Sequence, residues 1–476
     1  VRLWLAALAL LTAACAGRTV TPETRRAYGD LVVPPEECRA PPPDGVAPDA
    51  MARDVDVLER VLRRGYAGFE LAGDEARWAR AFAALREALP SEPLAPLAFR
   101  DLVLEHVGFV EDGHVGLWVY APERRWRATS THRDAYVARA LRVRHTSEGF
   151  VDGQGRRLVR CDERPAAEVL AAVPSSALPG VEHVPLVLSR TPREAIECEW
   201  EGGERASYEL APIGLVDGRG PAFERLDAPF PWLRVRTLFP DRRAELERFV
   251  ATAATLRDAP VIVLDVRRGG GGSDGFLVDW MRGLTREAIR YWETDALASE
   301  VTLQGALKFW GCVRGASATD GAGGAWLDAR VARAERELAQ AMNERGLFRE
   351  RTREERVFGG LASAPFRGRL VVVIDRGCGS ACESAVMLAR QLPGTLVVGE
   401  NTEGTMKVGE LRWYRLPESR VWMSLGMRAH RDSGGGFEEG TGYLPDLWLV
   451  DDDPDARIRA LAACLADARC GAELTP

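Results

Sequence analysis

The sequence predicts an α/β protein built on a parallel sheet with helical crossovers, and two stretches carry that prediction. Val261-Ile262-Val263-Leu264-Asp265-Val266 is a short unbroken apolar run ending in glycines, the pattern of a strand buried on both faces. The same grammar returns as a strand at Leu370 to Ile374, a glycine turn at Gly377 to Ser380, a helix through Val386, Leu388 and Leu392, and a strand at Thr395 to Val398. Ligands of such sheets sit at the carboxyl ends of the strands, so both glycine turns are expected on the functional edge. At 476 residues, with 46% hydrophobic and 28% charged residues, the chain is long enough for two or three packed domains.

The other elements are read in order. Residues 1–15 have the form of a secretory signal: Arg2, an apolar stretch from Leu3 to Leu11, then Ala13 and Ala14 before Cys15. Leu11 to Cys15 resembles a bacterial lipobox, with Thr12 where a branched apolar residue is usual. The expectation is an exported chain of the bacterial cell envelope or periplasm, either anchored by lipid on Cys15 or released by simple signal cleavage. Residues 16–50 are proline-rich and read as a linker. Over 51–119 apolar residues fall at helical spacing, as in Val57, Leu58, Val61 and Leu62, which predicts a small helical domain. Over 120–212 short apolar runs alternate with turn signals such as Asp152-Gly153 and Gly202-Gly203, which predicts a β-rich unit. The α/β domain then covers 213–455, followed by a tail at 456–476. Its segment 285–365, with a long helix around Arg330 to Glu344 after a Gly/Ala break, is long for a crossover and reads as a lid or cap.

Charge excludes one class of partner. The formal net charge is -7, and the basic residues are scattered, so no nucleic-acid surface is predicted. All the basic residues but Lys308 and Lys407 are arginine, which leaves any serine-lysine chemistry only two lysines. Beyond Cys15 the cysteines are 38, 161, 198, 312, 378, 382, 464 and 470, an even set that permits disulfides in an oxidising compartment. Cys464 with Cys470 and Cys161 with Cys198 are plausible pairs, while connectivity stays open. Cys378 and Cys382 have no second Cys or His pair at ligand spacing, so no metal and no organic cofactor is expected.

The segment Gly377-Cys378-Gly379-Ser380-Ala381-Cys382-Glu383 puts a serine between a strand and the first turn of a helix, with small neighbours. Amides at a helix start are unsatisfied and the dipole there is positive, so the Ala381 N–H suits an oxyanion formed when Ser380 attacks a carbonyl. A serine there also serves as a plain helix cap. The turn Asp265 to Ser273, with Gly269 to Gly272 in a row, lets backbone approach a ligand closely and offers a second oxyanion donor. A phosphate-cradling loop is the competing use, but a Walker G-K-[ST] is absent. Among the six histidines, His114 stands out because Glu111-Asp112-Gly113-His114 places an imidazole in a turn beside acidic groups.

Together these residues resemble the tail-specific, or C-terminal processing, serine peptidase family, in its tricorn-like branch. Asp265-Val266-Arg267 and its glycines resemble D-L-R-x-N-G-G-G, with Gly269 replacing the Asn. Cys378 to Glu383 resembles S-A-S-E, Gly399 to Thr402 matches V-G-E-x-T, and Glu439 to Asp446 resembles E-G-x-G-x-x-P-D. The resemblance implies a crotonase-like (ClpP-like) parallel-sheet catalytic core, with 120–212 as a PDZ-like unit capturing a peptide end by strand addition. It implies a serine endopeptidase acting on exported or envelope proteins, with Ser380 as nucleophile, His114 as base, Glu439 beside it, and Gly270 and Ala381 as oxyanion donors. One branch of the family instead draws its base from a lysine in G-K-G. Here Thr405 follows Gly404 and Lys407 lies two residues late, so His114 is preferred, with Lys407 as the alternative. The tricorn protease has a serine where this chain has Gly113, so either Asp112 or Glu439 would orient His114. The rival readings are an inactive ligand- or peptide-binding protein on the same fold, and an esterase using the same serine.

Overall fold

The computed structural model describes residues 38–467 apart from 39, 120–126, 131–133, 139, 147–148, 172–184, 190–192, 213–219, 227–228, 317–321, 433 and 450–452. Cys15 and Cys470 lie outside the described residues, as do His132 and His183. The described residues form two compact units. One comprises residues up to 131 with 294–354 and 408–429, and the other comprises 132–293, 355–407 and 430 onward.

The second unit holds the predicted sheet. Its strands run in the order Phe223–Leu226, Trp232–Val235, Val261–Asp265, Arg369–Ile374, Leu396–Gly399 and Leu447–Trp448. The first pair is antiparallel and the others are parallel, with Val263 paired to Val371 and Val372 to Val397. Alternation along the strands supplies two apolar faces. Ile262, Leu264, Leu370, Val372 and Val397 pack with residues of the helices Arg243–Leu256, Gly275–Leu284 and Ser384–Ala389. Val261, Val263, Val371, Val373 and Val398 pack instead with Ile458 and Leu461 of the C-terminal helix Pro454–Ala466. Both faces are covered, which is why these strands read as continuous apolar runs. Asp265, fully buried at the end of its strand, accepts from Arg267 and Arg234. Burial pushes its carboxyl up, but the guanidiniums of Arg267, Arg236 and Arg234 outweigh that and hold it below the ordinary range.

The same unit contains short antiparallel strands around a core of Tyr136, Val143, Phe150, Ile196 and Trp200. Cys161 and Cys198 face each other across neighbouring strands there and form a disulfide.

The first unit is a mixed layer of helix and antiparallel strand. The helices Pro48–Gly65, Glu75–Glu87 and Pro96–Val107 share one core with Gly116–Val119 and with Tyr414 and Met423 of two later strands. The 294–354 stretch belongs to this unit and supplies the edge strand Arg349–Glu354, nearly all of its neighbour Glu293–Ser299, and the helices Glu300–Ala316 and Ala322–Glu344. A disulfide joins Cys38 to Cys312. Among the described residues no helix is long and apolar enough to cross a membrane.

Phe249 is fully buried under the sheet and stacks on Trp280 with ring centroids 5.3 Å apart. Phe249→Ala is therefore expected to cost about 3–5 kcal/mol, read from hydrogen exchange of the Val261–Asp265 amides, which report the opening of this sheet. Unchanged protection would show that the helix does not seal it.

Candidate active site

Where the Arg369–Ile374 strand ends, Asp375 turns its carboxylate back on the backbone. One oxygen accepts from the Gly377 N–H at 3.0 Å and from the Arg268 N–H at 2.7 Å. That single carboxylate draws the two glycine turns of the sequence together at the carboxyl ends of adjacent parallel strands. The second turn is then pressed onto the first. A Cβ added to Gly271, whose φ is +86°, would lie 3.0 Å from Ser380 Cβ and 3.5 Å from its Oγ. The glycine that touches the serine is thus Gly271, one residue beyond Gly270, and only a residue without a side chain allows that approach.

Ser380 opens a 3-10 turn, Ser380–Cys382, that leads into the helix Ser384–Ala389. It is half-buried and has φ +56°, a left-handed conformation that L side chains seldom adopt. Ser380 does not itself stand at a cap position, since Gly379 precedes the 3-10 turn and Glu383 precedes the helix. Instead its backbone is held from outside: the Ser380 N–H donates to Glu383 Oε2 at 3.2 Å and to Thr405 Oγ1 at 3.1 Å. Ala381, buried, stands next in the turn.

Glu383 is the fully buried hub. Its Oε1 accepts from Thr402 Oγ1 at 2.6 Å and Gly404 N at 2.8 Å, and its Oε2 also accepts from Thr405 N at 2.8 Å. Burial pushes its carboxyl up to about 8, against the Thr402, Thr405 and Gly404 bonds that favour the charge, and Glu439 adds to the rise. Glu439 is partly exposed, and its Oε2 accepts from the Met406 and Lys407 amides at 3.2 and 2.7 Å. The Lys407 side chain is exposed, whereas a lysine base works where burial strips water from its ammonium. Cys378 and Cys382, on either side of Ser380, are joined in a disulfide that the sequence reading did not pair.

His114 belongs to the first unit, in the turn before the Gly116–Val119 strand. The imidazole is buried, and Nδ1 lies 2.7 Å from the Val408 carbonyl oxygen. A carbonyl only accepts, so Nδ1 carries the hydrogen and Nε2 is the basic nitrogen. Asp112, also buried, accepts the His114 backbone N–H at 2.8 Å and the Tyr66 hydroxyl at 2.7 Å. Ser424 Oγ donates to the His114 carbonyl at 2.7 Å. Asp112 thus fixes the backbone of this residue, and the Val408 carbonyl fixes its ring; that carbonyl left no mark in the sequence, since any residue type supplies one. Among the described residues, no group of His, Cys, Asp and Glu is placed to hold a metal ion.

A half-buried serine in a left-handed turn thus stands at the strand ends of the α/β sheet, beside the glycine run. Residues 232–448 match the model of Peptidase family S41, which marks this part of the chain as a serine peptidase domain of that family. The structure of mature CPAF is similar, with a TM-score of 0.50 and 14% identity over 90% of this chain and 99% of that one. Its complex with lactacystin gives 0.47 and 13% identity, over 88% and 99%. The photosystem II D1 C-terminal processing protease gives 0.38 and 14%, over 84% and 92%. No curated protein sequence matches the chain.

The Glu383 proton makes a pH prediction. The folded chain keeps a proton that the unfolded carboxyl releases above its ordinary value of 4.5. The stability this gives is full below that pH and is lost as pH rises toward about 8. The thermal midpoint should therefore fall more steeply over this window in wild type than in Glu383→Gln. Parallel slopes would mean that the carboxyl is ionised in the fold.

Proposed function

We propose that the protein is an endopeptidase that cleaves exported or envelope proteins through Ser380, with His114 as general base and Glu439 as the acidic partner. The observation that carries this reading is the Ser380 turn, because a left-handed serine braced through its own amide and crowded by Gly271 is not explained by capping or packing. The pairing with His114 is supported by the resemblance of the ordered motifs and by the tautomer that the Val408 carbonyl imposes. In the reaction, Ser380 Oγ attacks the scissile carbonyl while His114 Nε2 takes its proton. The oxyanion is met by the Ala381 N–H and by an amide of the 269–272 turn, Gly270 being the proposed donor. The imidazolium then protonates the leaving amine, and water, deprotonated by the same nitrogen, hydrolyses the acyl-enzyme.

Export is part of the proposal. The signal-like segment ending at Cys15 and three disulfides among the described residues both suit an oxidising compartment. The short-stranded region around Phe150 and Ile196 is proposed as the PDZ-like dock for a peptide end.

A fluorophosphonate probe, which reacts only with an activated serine, tests the site. Wild type and Lys407→Ala should label, Ser380→Ala should not, and His114→Ala should label about 100-fold or more slowly. Full labelling of His114→Ala with loss in Lys407→Ala would transfer the base to the lysine. Hydrolysis of a small ester without any peptide cleavage would favour the esterase.

A further inference from the structure

The reading of Ser380 as nucleophile leaves one feature of its turn unused, the covalent bond that encloses it. Cys378 and Cys382 are bonded across a sequence separation of 4, with Ser380 midway between them. Both are essentially without exposure, at 0% and 1%. Loop-closure entropy grows with the length of the loop closed, so this bond restrains the unfolded chain far less than Cys161–Cys198 or Cys38–Cys312, which span separations of 37 and 274. Its effect is local. The arc it closes contains the whole left-handed turn, including Ala381 and the Cys382 N–H bond to the Gly379 carbonyl at 3.1 Å.

Resting on the nucleophile assignment, we propose that the Cys378–Cys382 disulfide is a positioning brace that holds Ser380 and the Ala381 amide in their reactive geometry, and that the peptidase is active only where this bond is formed. The other restraints leave the arc incompletely held. Glu383 and Thr405 grip the turn at the Ser380 amide, and Gly271 presses on the Ser380 Cβ. The peptide after Cys382 is tied by the Glu383 N–H to the Ser380 carbonyl at 2.8 Å, so each hydrogen bond tethers the turn at one point. The disulfide adds a covalent cross-link between the chain leaving the strand and the chain entering the helix, which are otherwise joined by single hydrogen bonds such as that from the Cys382 N–H to the Gly379 carbonyl. Without it, a serine at φ +56° relaxes toward ordinary backbone and its Oγ and the Ala381 N–H lose their common target. Reduction by a dithiol breaks the brace in two displacements. A reductant thiolate attacks one cysteine sulfur and expels the other as thiolate, and the second reductant thiol then closes the reductant's own disulfide, leaving Cys378 and Cys382 as thiols. A chain still in a reducing compartment would therefore hold its nucleophile out of register.

The test uses the full chain and the fluorophosphonate rate at a temperature well below the thermal midpoint. Cys378→Ala/Cys382→Ala should stay folded by near-UV circular dichroism and label about 10- to 100-fold more slowly, while Cys38→Ala/Cys312→Ala labels at the wild-type rate. An unchanged rate in the first variant overturns the brace, as does an equal loss in the second, which would mark general loosening. Should the first variant fail to fold, wild type is treated with dithiothreitol and alkylated. Molecules alkylated at both Cys378 and Cys382 should lose labelling, with recovery when oxidised glutathione restores the bond before alkylation, and retained labelling overturns the proposal. Equal labelling of Ser380→Ala and wild type fails the nucleophile assignment itself, a result distinct from any of these, and the brace falls with it.

Discussion

The buried carboxyl group of Glu383 is the group on which the candidate site depends. It reaches back to the Ser380 amide and forward to Thr402, Gly404 and Thr405, so one side chain sets the nucleophile turn against the loop beside it. Carrying a carboxyl without exposure is costly unless its oxygens are bonded, and four donors are assembled to do that. A site built this way tolerates little drift. The donors and the acceptor are useful to one another only while both segments keep their places.

The parallel sheet makes that possible. Packing on both faces leaves the strand ends as the only rim where turns can project, and Asp375 then pulls the Arg268 and Gly377 backbones onto one oxygen. The same rim is stiffened by Asp265, whose pairing with Arg267 and Arg234 extends to Asp455 at the start of the C-terminal helix. The proposed reactive turn is thus backed by a rigid edge, which is what a strained backbone requires in order to persist.

Much of this was legible. Unbroken apolar runs announced the central strands, and helical spacing through Val57, Leu58, Val61 and Leu62 announced the Pro48–Gly65 helix. Ser380 and the glycine run were visible as types in a suggestive order. The contact itself was not: nothing in the run of four glycines marked Gly271 as the one that lies against Ser380. Asp112 was visible beside His114, but its bond to the His114 backbone amide, that of an Asx turn, was seen only in the structure.

What the sequence by itself determined is the grammar of the protein: a peptidase-type α/β core, its strand order of glycine turn and helix, and the residue types able to do acyl transfer. Pattern suffices for these because burial on two faces and turn chemistry leave a direct print in residue type. Only the tertiary structure decided which groups meet. The Cys378–Cys382 bond, the Val408 carbonyl on His114 and the four-donor shell of Glu383 depend on the direction of backbone groups and on contacts between distant segments. Backbone amides and carbonyls are the same in every residue, so no reading of side-chain identity could have placed them.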